Sequence, residues 1–224
     1  MSHFSVGVFI EPKRDKKLED LLAPYQENNI GNCPKEYLEF FECSEEIEEY
    51  EKYKDKYKTL DEFMEKCYGY KKDDVTGKYG YWANPNAKWD WYTIGGRWSN
   101  SIIRKNGYKC DYAKLKDIDW DKMRETKKRN AEEIWDSNPE GIERMLCGIE
   151  KDDTKESYIK RESEFGTYAV ITPDGKWHST GEMGYFGGSS DTAEDREKWA
   201  KSFFDTFIKD ANQELILVIV DCHV

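Results

Sequence analysis

The chain has 224 residues and a formal net charge of -11 at pH 7. A chain this acidic is repelled by nucleic-acid backbones and anionic membranes, which argues against both as partners. No apolar run approaches the roughly 20 residues of a membrane-spanning helix, and the first charges follow the first apolar stretch, the reverse of a secretory signal. Eight Trp, fifteen Tyr and ten Phe supply large apolar faces, so we expect a folded protein with an aromatic core.

The first third of the chain is predicted to open with a buried strand and to continue mainly as helices. The strand is His3–Ile10, which is rich in β-branched and aromatic residues. Thr59, followed three residues later by Glu62, has the pattern of a capping box and predicts the start of a helix. The predicted inner face of that helix is Leu60, Phe63, Met64 and Cys67.

The middle of the chain changes character twice. Residues 73–106 are rich in Gly, Asn, Trp and Tyr, which indicates loops and short strands. Asp119 then precedes a helical pattern and is predicted to be its N-cap. Residues 150–164 are polar and are predicted to be a loop.

The last sixty residues predict a hairpin, a helix and a strand. Pro-Asp-Gly at 173–175 separates two alternating runs, which indicates a β-hairpin. Asp191, with Glu194 three residues later, predicts the start of an amphipathic helix. The predicted inner stripe of that helix is Trp199, Phe203, Phe204, Phe207 and Ile208. The final run, residues 214–224, is almost wholly apolar, so we expect a strand covered on both faces.

This order of elements predicts an α+β fold with a ferredoxin-like sheet core. Strand, helical excursion, hairpin, helix and strand match the β-α-β-β-α-β order. We predict a single domain over residues 1–224. Residues 1–12 and 165–224 would form the sheet core, and residues 13–164 would be a helical, Trp-rich insertion in the first crossover.

The densest candidate site is the segment YGYWANPNAKWDWYTIGGRW, residues 79–98, which holds four of the eight Trp. Aromatic faces stack on planar ligands, and glycines let a ligand approach the backbone. An Arg side chain can donate two hydrogen bonds to one phosphate. The segment therefore predicts a nucleotide-type pocket. Its candidate ligand-binding residues are Trp89, Trp91, Tyr92, Gly96, Arg97 and Trp98. The alternative is that these side chains form a closed core with Arg97 in an ion pair.

A glycine-rich turn, residues 181–192, joins the predicted hairpin to the last helix. A phosphate cradle at the helix N-terminus is one interpretation, but Asp191 would occupy the same donors and repel a phosphate. We favour a different interpretation, in which this turn forms a lip that covers a pocket. This turn and the preceding strand add four candidate ligand-binding residues, which are His178, Glu182, Tyr185 and Phe186.

The three histidines, His3, His178 and His223, all fall in predicted strands. His3-Phe4-Ser5 and His178-Ser179-Thr180 have the form H-x-[S/T], which resembles the paired triplets of two-histidine phosphoesterases. If the chain is an enzyme, His3 and His178 are the candidate acid and base; structural histidines are the alternative. Asp221 is predicted to point away from His223, so no triad is expected there. The cysteine and histidine spacings predict no metal site, and no motif predicts a cofactor.

Five stretches together resemble a group of uncharacterised proteins from tailed bacteriophages. They are LLAPYQENN, CPKEYLEF, the Trp-rich segment at 79–98, TYAVITPDGKWHSTGEMGYFG and IVDCHV. The resemblance implies an accessory phage protein in the cytoplasm of the infected bacterial host. Phage proteins of this kind and size often antagonise bacterial immunity, either at a nucleotide messenger or at a defence protein.

Three functional hypotheses follow from these observations. The favoured one is a binding protein that sequesters a nucleotide-derived signal in an aromatic and Arg-lined pocket. The second is a phosphodiesterase that cleaves such a signal through His3 and His178. The third is an acidic inhibitor that occupies a basic host nuclease or effector. A homo-oligomer is compatible with each of them.

Overall fold

The computed structural model describes residues 2–12, 17–184 and 188–224, and it is a mixed α+β protein, as predicted. The strands in these ranges are β1 (His3–Ile10), β2 (Glu39–Glu42), β3 (Gly80–Ala83), β4 (Trp91–Ile94), β5 (Ile102–Ile103), β6 (Lys109–Cys110), β7 (Tyr112–Lys114), β8 (Ala169–Ile171), β9 (Trp177–Ser179) and β10 (Ile216–His223). The α-helices are α1 (Leu18–Leu22), α2 (Ser44–Glu49), α3 (Leu60–Tyr68), α4 (Trp120–Asp136), α5 (Gly141–Leu146), α6 (Lys155–Ser163) and α7 (Ala193–Phe207).

The chain folds into two compact units. The first comprises Met1–Leu22 and Trp91–Val224, and the second is Ala23–Asp90. These boundaries differ from those of the predicted insertion, residues 13–164, because β4 and β7 lie inside that range and pair with β10. Part of the predicted insertion therefore belongs to the main sheet.

The main sheet of the first unit has the strand order β4-β10-β1-β8-β9, with β7 also pairing with β10. β10 lies antiparallel to β1 along its whole length, from His3↔His223 to Ile10↔Ile216. β1 pairs in parallel with β8, which forms the predicted hairpin with β9. The residues of β1 and β10 are almost all buried, so both faces of the sheet are covered.

The ferredoxin-like order is not confirmed. In a split β-α-β arrangement, the two parallel strands are separated by another strand of the sheet. Here β1 and β8 are direct neighbours, with Val6 opposite Ala169 and Val8 opposite Ile171. A parallel pair needs only a crossover long enough to return the chain to the same end of the sheet, and residues 11–168 supply that length.

Helix α7 covers the main core as predicted, but its N-cap differs from the prediction. Phe203 and Ile208 are buried, and Trp199, Phe204 and Phe207 pack against the same core. The cap is Thr192 rather than Asp191. Its Oγ1 accepts a hydrogen bond from the Asp195 main-chain nitrogen at 3.2 Å, and the Asp195 carboxylate accepts one from the Thr192 nitrogen at 2.9 Å.

Residues 150–164, predicted to be a loop, contain helix α6. The helix begins at a capping box in which Thr154 and Ser157 bond each other's main-chain nitrogens, at 2.9 and 3.1 Å. Tyr158 anchors the helix because its ring is buried against Ala131 and Ile149. α6 packs against α4, whose predicted cap, Asp119, accepts a hydrogen bond from the Lys122 nitrogen at 3.0 Å.

The second unit has its own aromatic core. β2 pairs with β3, and the predicted cap of α3 is confirmed, because Thr59 Oγ1 accepts a hydrogen bond from the Glu62 nitrogen at 3.1 Å. Phe63 and Met64 are buried as expected. Cys67 is exposed rather than buried, and it lies in the last turn of the helix, one residue before its end at Tyr68.

No helix in the described ranges combines the length and the apolar character that a bilayer span requires.

Phe203→Ala is expected to destabilise the protein by about 3–5 kcal/mol, the cost of removing a fully buried phenyl ring from a packed core. Phe203 has no exposed surface and contacts the rings of Phe165, Trp199 and Phe207 at 5.7, 5.7 and 5.3 Å. Urea unfolding measures the change, with the neighbouring exposed Ser202→Ala as the control. A loss below about 1 kcal/mol, or an equal loss in the control, would contradict this packing.

Candidate functional site

The residues of the Trp-rich segment are divided between the two units. Trp89 is 3% exposed and belongs to the second unit, where its main chain bonds that of Tyr25 and Glu27. Trp91, Tyr92, Arg97 and Trp98 belong to the first unit, and Trp98 packs against the main core. Of the six predicted residues, Trp98 alone lines a described cavity.

Trp91 instead joins a cluster of side chains at one end of β1, β4 and β10, which we call the histidine cluster: His3, Trp91, Asp221 and His223. His3 Nδ1 lies 2.8 Å from Asp221 Oδ1. The Trp91 ring stacks on the His223 ring at 5.1 Å, and the His3 ring meets both edge-on at 5.3 and 5.0 Å. The carboxylate thus orients His3 while aromatic rings enclose it.

The prediction that Asp221 points away from His223 was wrong. The two residues are two positions apart, and side chains at that spacing share a face of the strand. The same face carries His3, which pairs with His223, and Ser5, which pairs with Asp221. Tyr92 lies on the opposite face, opposite Cys222.

Gly96 and Arg97 contact the histidine cluster with their backbone rather than with their side chains. The main-chain nitrogen of Arg97 donates a hydrogen bond to Asp221 Oδ2 at 2.9 Å, while its side chain is exposed. Gly96 has φ +52°, and a Cβ there would lie 2.3 Å from Asp221 Oδ2. Glycine is therefore required so that the backbone can approach the carboxylate.

The other predicted residues lie elsewhere. His178 in β9 contacts Thr172 Oγ1 at 3.3 Å and the Phe207 ring at 5.4 Å. His178 pairs with Val170 in β8, and Val170 pairs with Gly7 in β1. His178 is therefore two strands away from β1 and four residues along it from His3, which corresponds to a backbone separation on the order of 16 Å. The two histidines do not face one phosphate. Glu182 is exposed, and Tyr185 and Phe186 lie outside the described residues.

The largest described cavity of the first unit is a cleft of about 980 Å³ between α4, α5, α6 and α7, which we call the large cleft. Five cations line it: Lys127, Arg144, Lys151, Arg161 and Arg196. Its carboxylates are Glu150, Glu162, Glu164 and Asp191. The five cations and four carboxylates leave this lining with one positive charge in excess, in a chain whose net charge is -11.

The cations differ in how far they are already engaged. Arg161 forms a bidentate pair with Asp153 at 2.8 Å and donates to the Gly148 oxygen at 2.8 Å. Its hydrogen bonds to the Asp153 carboxylate raise the pKa of the guanidinium. Arg161 therefore has a structural role in the wall of the large cleft. Arg196 makes longer contacts: it donates hydrogen bonds to the Asp191 main-chain oxygen and to Glu150 Oε1, both at 3.3 Å, and lies 3.6 Å from the Asp191 carboxylate. Arg144 lies 5.2 Å over the Trp135 ring.

Lys127 on α4 differs from the other cations in that burial lowers its pKa. Its Nζ donates a hydrogen bond to the main-chain oxygen of Glu164. Burial lowers the pKa of its ammonium group, and the charges of Glu162 and Glu164 oppose this effect only in part. A desolvated cation of this kind gains most from an anionic ligand, because the charges interact across a poorly screened space.

Aromatic rings complete the large cleft. Trp199 Nε1 donates to the Thr167 oxygen at 2.8 Å, which fixes the indole ring in the wall. Tyr168 is held by a 2.8 Å bond between its hydroxyl and Ser189 Oγ. Anchored rings beside cations suit a planar group that carries a phosphate.

A second, smaller cavity of about 290 Å³ lies between α4 and the face of the sheet that carries Ser5, and we call it the small cavity. Its apolar lining is Trp98, Ile103, Met123, Phe165 and Ile219. Its polar lining includes Ser101 and Asn130. The described residues contain no group of three or more His, Cys, Asp or Glu that could hold a metal ion.

Sequence reasoning placed no candidate site residue in the large cleft, and it treated residues 150–164, which supply Arg161 and Glu162 to the lining, as a loop. The Thr154 and Ser157 spacing was a usable signal for α6. Nothing in the sequence, however, relates Lys127, Arg144 and Arg196, which come from three different helices or their ends.

Comparisons with protein-family models, with curated proteins and with solved structures gave no match. Any function must therefore be argued from the chain's own side chains, and the resemblance to phage proteins stays a prediction.

Gly96→Ala is expected to destabilise the protein more than Gly107→Ala does. Both glycines have positive φ, but a Cβ at 107 meets nothing within 4 Å, so that variant carries only the backbone strain of about 1–2 kcal/mol. The clash with Asp221 adds to this cost at 96. Urea unfolding of both variants tests the difference, and equal losses would show that the approach to Asp221 is not tight.

Lys127 is expected to become reactive toward an amine reagent at a lower pH than an ordinary lysine, whose pKa is about 10.4. Its lowered pKa means that the neutral, nucleophilic amine appears earlier as the pH rises. Trinitrophenylation followed by peptide mapping gives the pH profile, with the exposed Lys122 on the same helix as the reference. A Lys127 midpoint at or above that of Lys122 would contradict its desolvation.

Proposed function

We propose that this protein binds an anionic, nucleotide-class small molecule in the large cleft and sequesters it. The observation that carries the proposal is the desolvated Lys127 among arginines and anchored aromatic rings in a cleft of about 980 Å³. That volume lies at the upper end of the range for small-molecule sites, about 300–1,000 Å³. It would accommodate a nucleotide with more than one ring system.

Binding without turnover is the simpler proposal for this cleft. None of the described residues that line it is a histidine, and the His3–Asp221 pair lies in the histidine cluster instead. In the setting that the phage resemblance implies, sequestration would lower the free concentration of a nucleotide-derived signal of bacterial immunity. This context is part of the proposal and rests on the resemblance alone.

An acidic protein inhibitor is the second candidate, and the second unit favours it. Residues 23–90 contain sixteen Asp and Glu against ten Lys and Arg. Phe41 and Tyr81 add stacked rings that are 38% and 47% exposed. Such a surface would suit a basic host nuclease or effector. Its binding would be independent of substitutions in the large cleft, which separates the two candidates.

Calorimetry with cyclic dinucleotides, ADP-ribose and nucleoside diphosphates is expected to find a ligand with Kd below about 10 μM, or roughly -7 kcal/mol. Arg144→Ala and Arg196→Ala should each weaken binding about tenfold or more, since a hydrogen bond to a charged group contributes about 1.5–3 kcal/mol. Raised salt should weaken it further.

Arg97→Ala is the matched control, because its exposed guanidinium lies outside the described lining of the cleft. The proposal fails if no compound in the panel binds, or if Arg97→Ala weakens binding and Arg196→Ala does not.

A further inference from the structure

The second unit carries a row of aromatic rings at its surface, which we call the aromatic row: Phe41, Tyr81, Tyr70 and Tyr68. Consecutive ring centroids lie 5.8, 6.2 and 6.3 Å apart, and the planes of neighbouring rings differ by only 18°, 18° and 13°. Phe41, Tyr81 and Tyr68 are 38%, 47% and 38% exposed, and Tyr70 is half-buried. A contiguous exposed apolar surface of this kind marks an interaction site on many proteins.

The local structure holds these rings in place. Phe41 in β2 lies directly opposite Tyr81 in β3. The Tyr68 ring meets the buried Phe63 ring edge-on at 5.6 Å, and its hydroxyl donates a hydrogen bond to Glu49. Tyr70 packs against the core of the second unit. Rings that are already fixed lose little conformational entropy when a partner binds.

Carboxylates surround the aromatic row. Glu39 is exposed and lies two residues before Phe41 in β2, so both side chains share one face of the strand. The hydrogen bond to Glu49 raises the pKa of the Tyr68 hydroxyl to about 12, and the charge of Glu46 contributes. Burial raises the pKa of Tyr70, and the charge of Glu46 contributes there as well. Glu46 is therefore close enough to both rings to interact with them electrostatically.

The lysines of this region are already paired. Each contacts a carboxylate: Lys71 with Glu65 at 3.2 Å, Lys72 with Asp61 at 3.3 Å and Lys78 with Glu42 at 2.7 Å. Five other carboxylates form no ion pair within the part of the chain that the structure describes, and they are Glu39, Glu45, Glu46, Glu48 and Glu49. The aromatic row is thus bordered by uncompensated negative charge, which is complementary to a cationic partner.

We infer that the aromatic row binds an arginine-bearing segment of a partner protein, with guanidinium groups packed against its rings and paired with Glu39 and Glu46. Arginine fits this surface better than lysine because a guanidinium is weakly hydrated, packs against aromatic rings and donates two hydrogen bonds to one carboxylate. The inference rests on the second candidate function, for which it specifies the partner's chemistry, and it is independent of the large cleft.

Two labelled peptides of equal length, one of alternating Arg and Gly and one of alternating Lys and Gly, test the inference by fluorescence anisotropy with the full chain. The Arg peptide is expected to bind with a Kd at or below about 100 μM. It should bind about threefold or more tightly than the Lys peptide, because both carry the same charge and only the guanidinium gains from packing on the rings.

Tyr81→Ala and Glu46→Gln should each weaken binding of the Arg peptide about threefold or more. Tyr108→Ala is the matched control, because it removes a tyrosine that is 65% exposed in the first unit, and it should change nothing. Arg196→Ala in the large cleft should also leave peptide binding unchanged. If circular dichroism shows that Tyr81→Ala does not fold, Glu46→Gln combined with Glu39→Gln decides, since both substitutions keep the size of the side chain.

The outcomes separate this inference from the functions proposed above. If neither peptide binds, the inference and the acidic-inhibitor candidate are both wrong, and nucleotide binding in the large cleft is unaffected. If the two peptides bind equally well, or if the variants of Tyr81, Glu39 and Glu46 bind the Arg peptide as the wild type does, the inference alone is overturned. Self-association in sedimentation velocity that Tyr81→Ala abolishes would make a second copy of the chain the occupant and would also overturn it.

Discussion

The pairing of β10 with β1 is the constraint on which the first unit depends. The eight residue pairs from His3↔His223 to Ile10↔Ile216 join the two ends of the chain. β10 also pairs with β4 and β7 on its other edge, so a break in this strand would remove its pairing with three strands at once. Because side chains alternate along a strand, the same register determines which residues share a face.

One face of this sheet changes from apolar to polar along its length. Phe9, Leu217 and Ile219 belong to the main core, while Asp221, His223 and His3 form the histidine cluster at the far end. Buried charge at this end is tolerated because Asp221 is bonded on both oxygens, by His3 Nδ1 and by the Arg97 nitrogen. Because both oxygens of its carboxylate are bonded, Asp221 is a structural residue that fixes the β4 end of the sheet.

The large cleft is built on a different principle, since helices rather than strands bring its charges together. Arg161 is fully engaged in its bidentate pair with Asp153, and this pair holds α6 to the preceding loop. Arg144, Arg196 and Lys127 are less fully engaged, and the desolvation of Lys127 opposes its charge. A protein that keeps an incompletely compensated cation sacrifices stability at that place.

Local patterns in the sequence determined most of the elements of the first unit. β1 follows from its β-branched and aromatic residues and β10 from an almost wholly apolar run. The hairpin follows from Pro-Asp-Gly between alternating runs, and α7 follows from a helical stripe; each pattern involves neighbours along the chain. The caps at Thr59 and Asp119 were equally local. Those signals act within a few residues, so they cannot specify which strands become neighbours in the sheet.

Only the tertiary structure decided the sheet order and the site. The parallel contact of β1 with β8, and the entry of β4 and β7 into the sheet, depend on the path of a long crossover that no local pattern encodes. The same limit applies to the Trp-rich segment, in which Trp89 and Trp91, only two positions apart, belong to different units. Lys127, Arg144 and Arg196 come together because α4 to α7 pack, and that packing is a property of the whole unit rather than of any stretch of sequence.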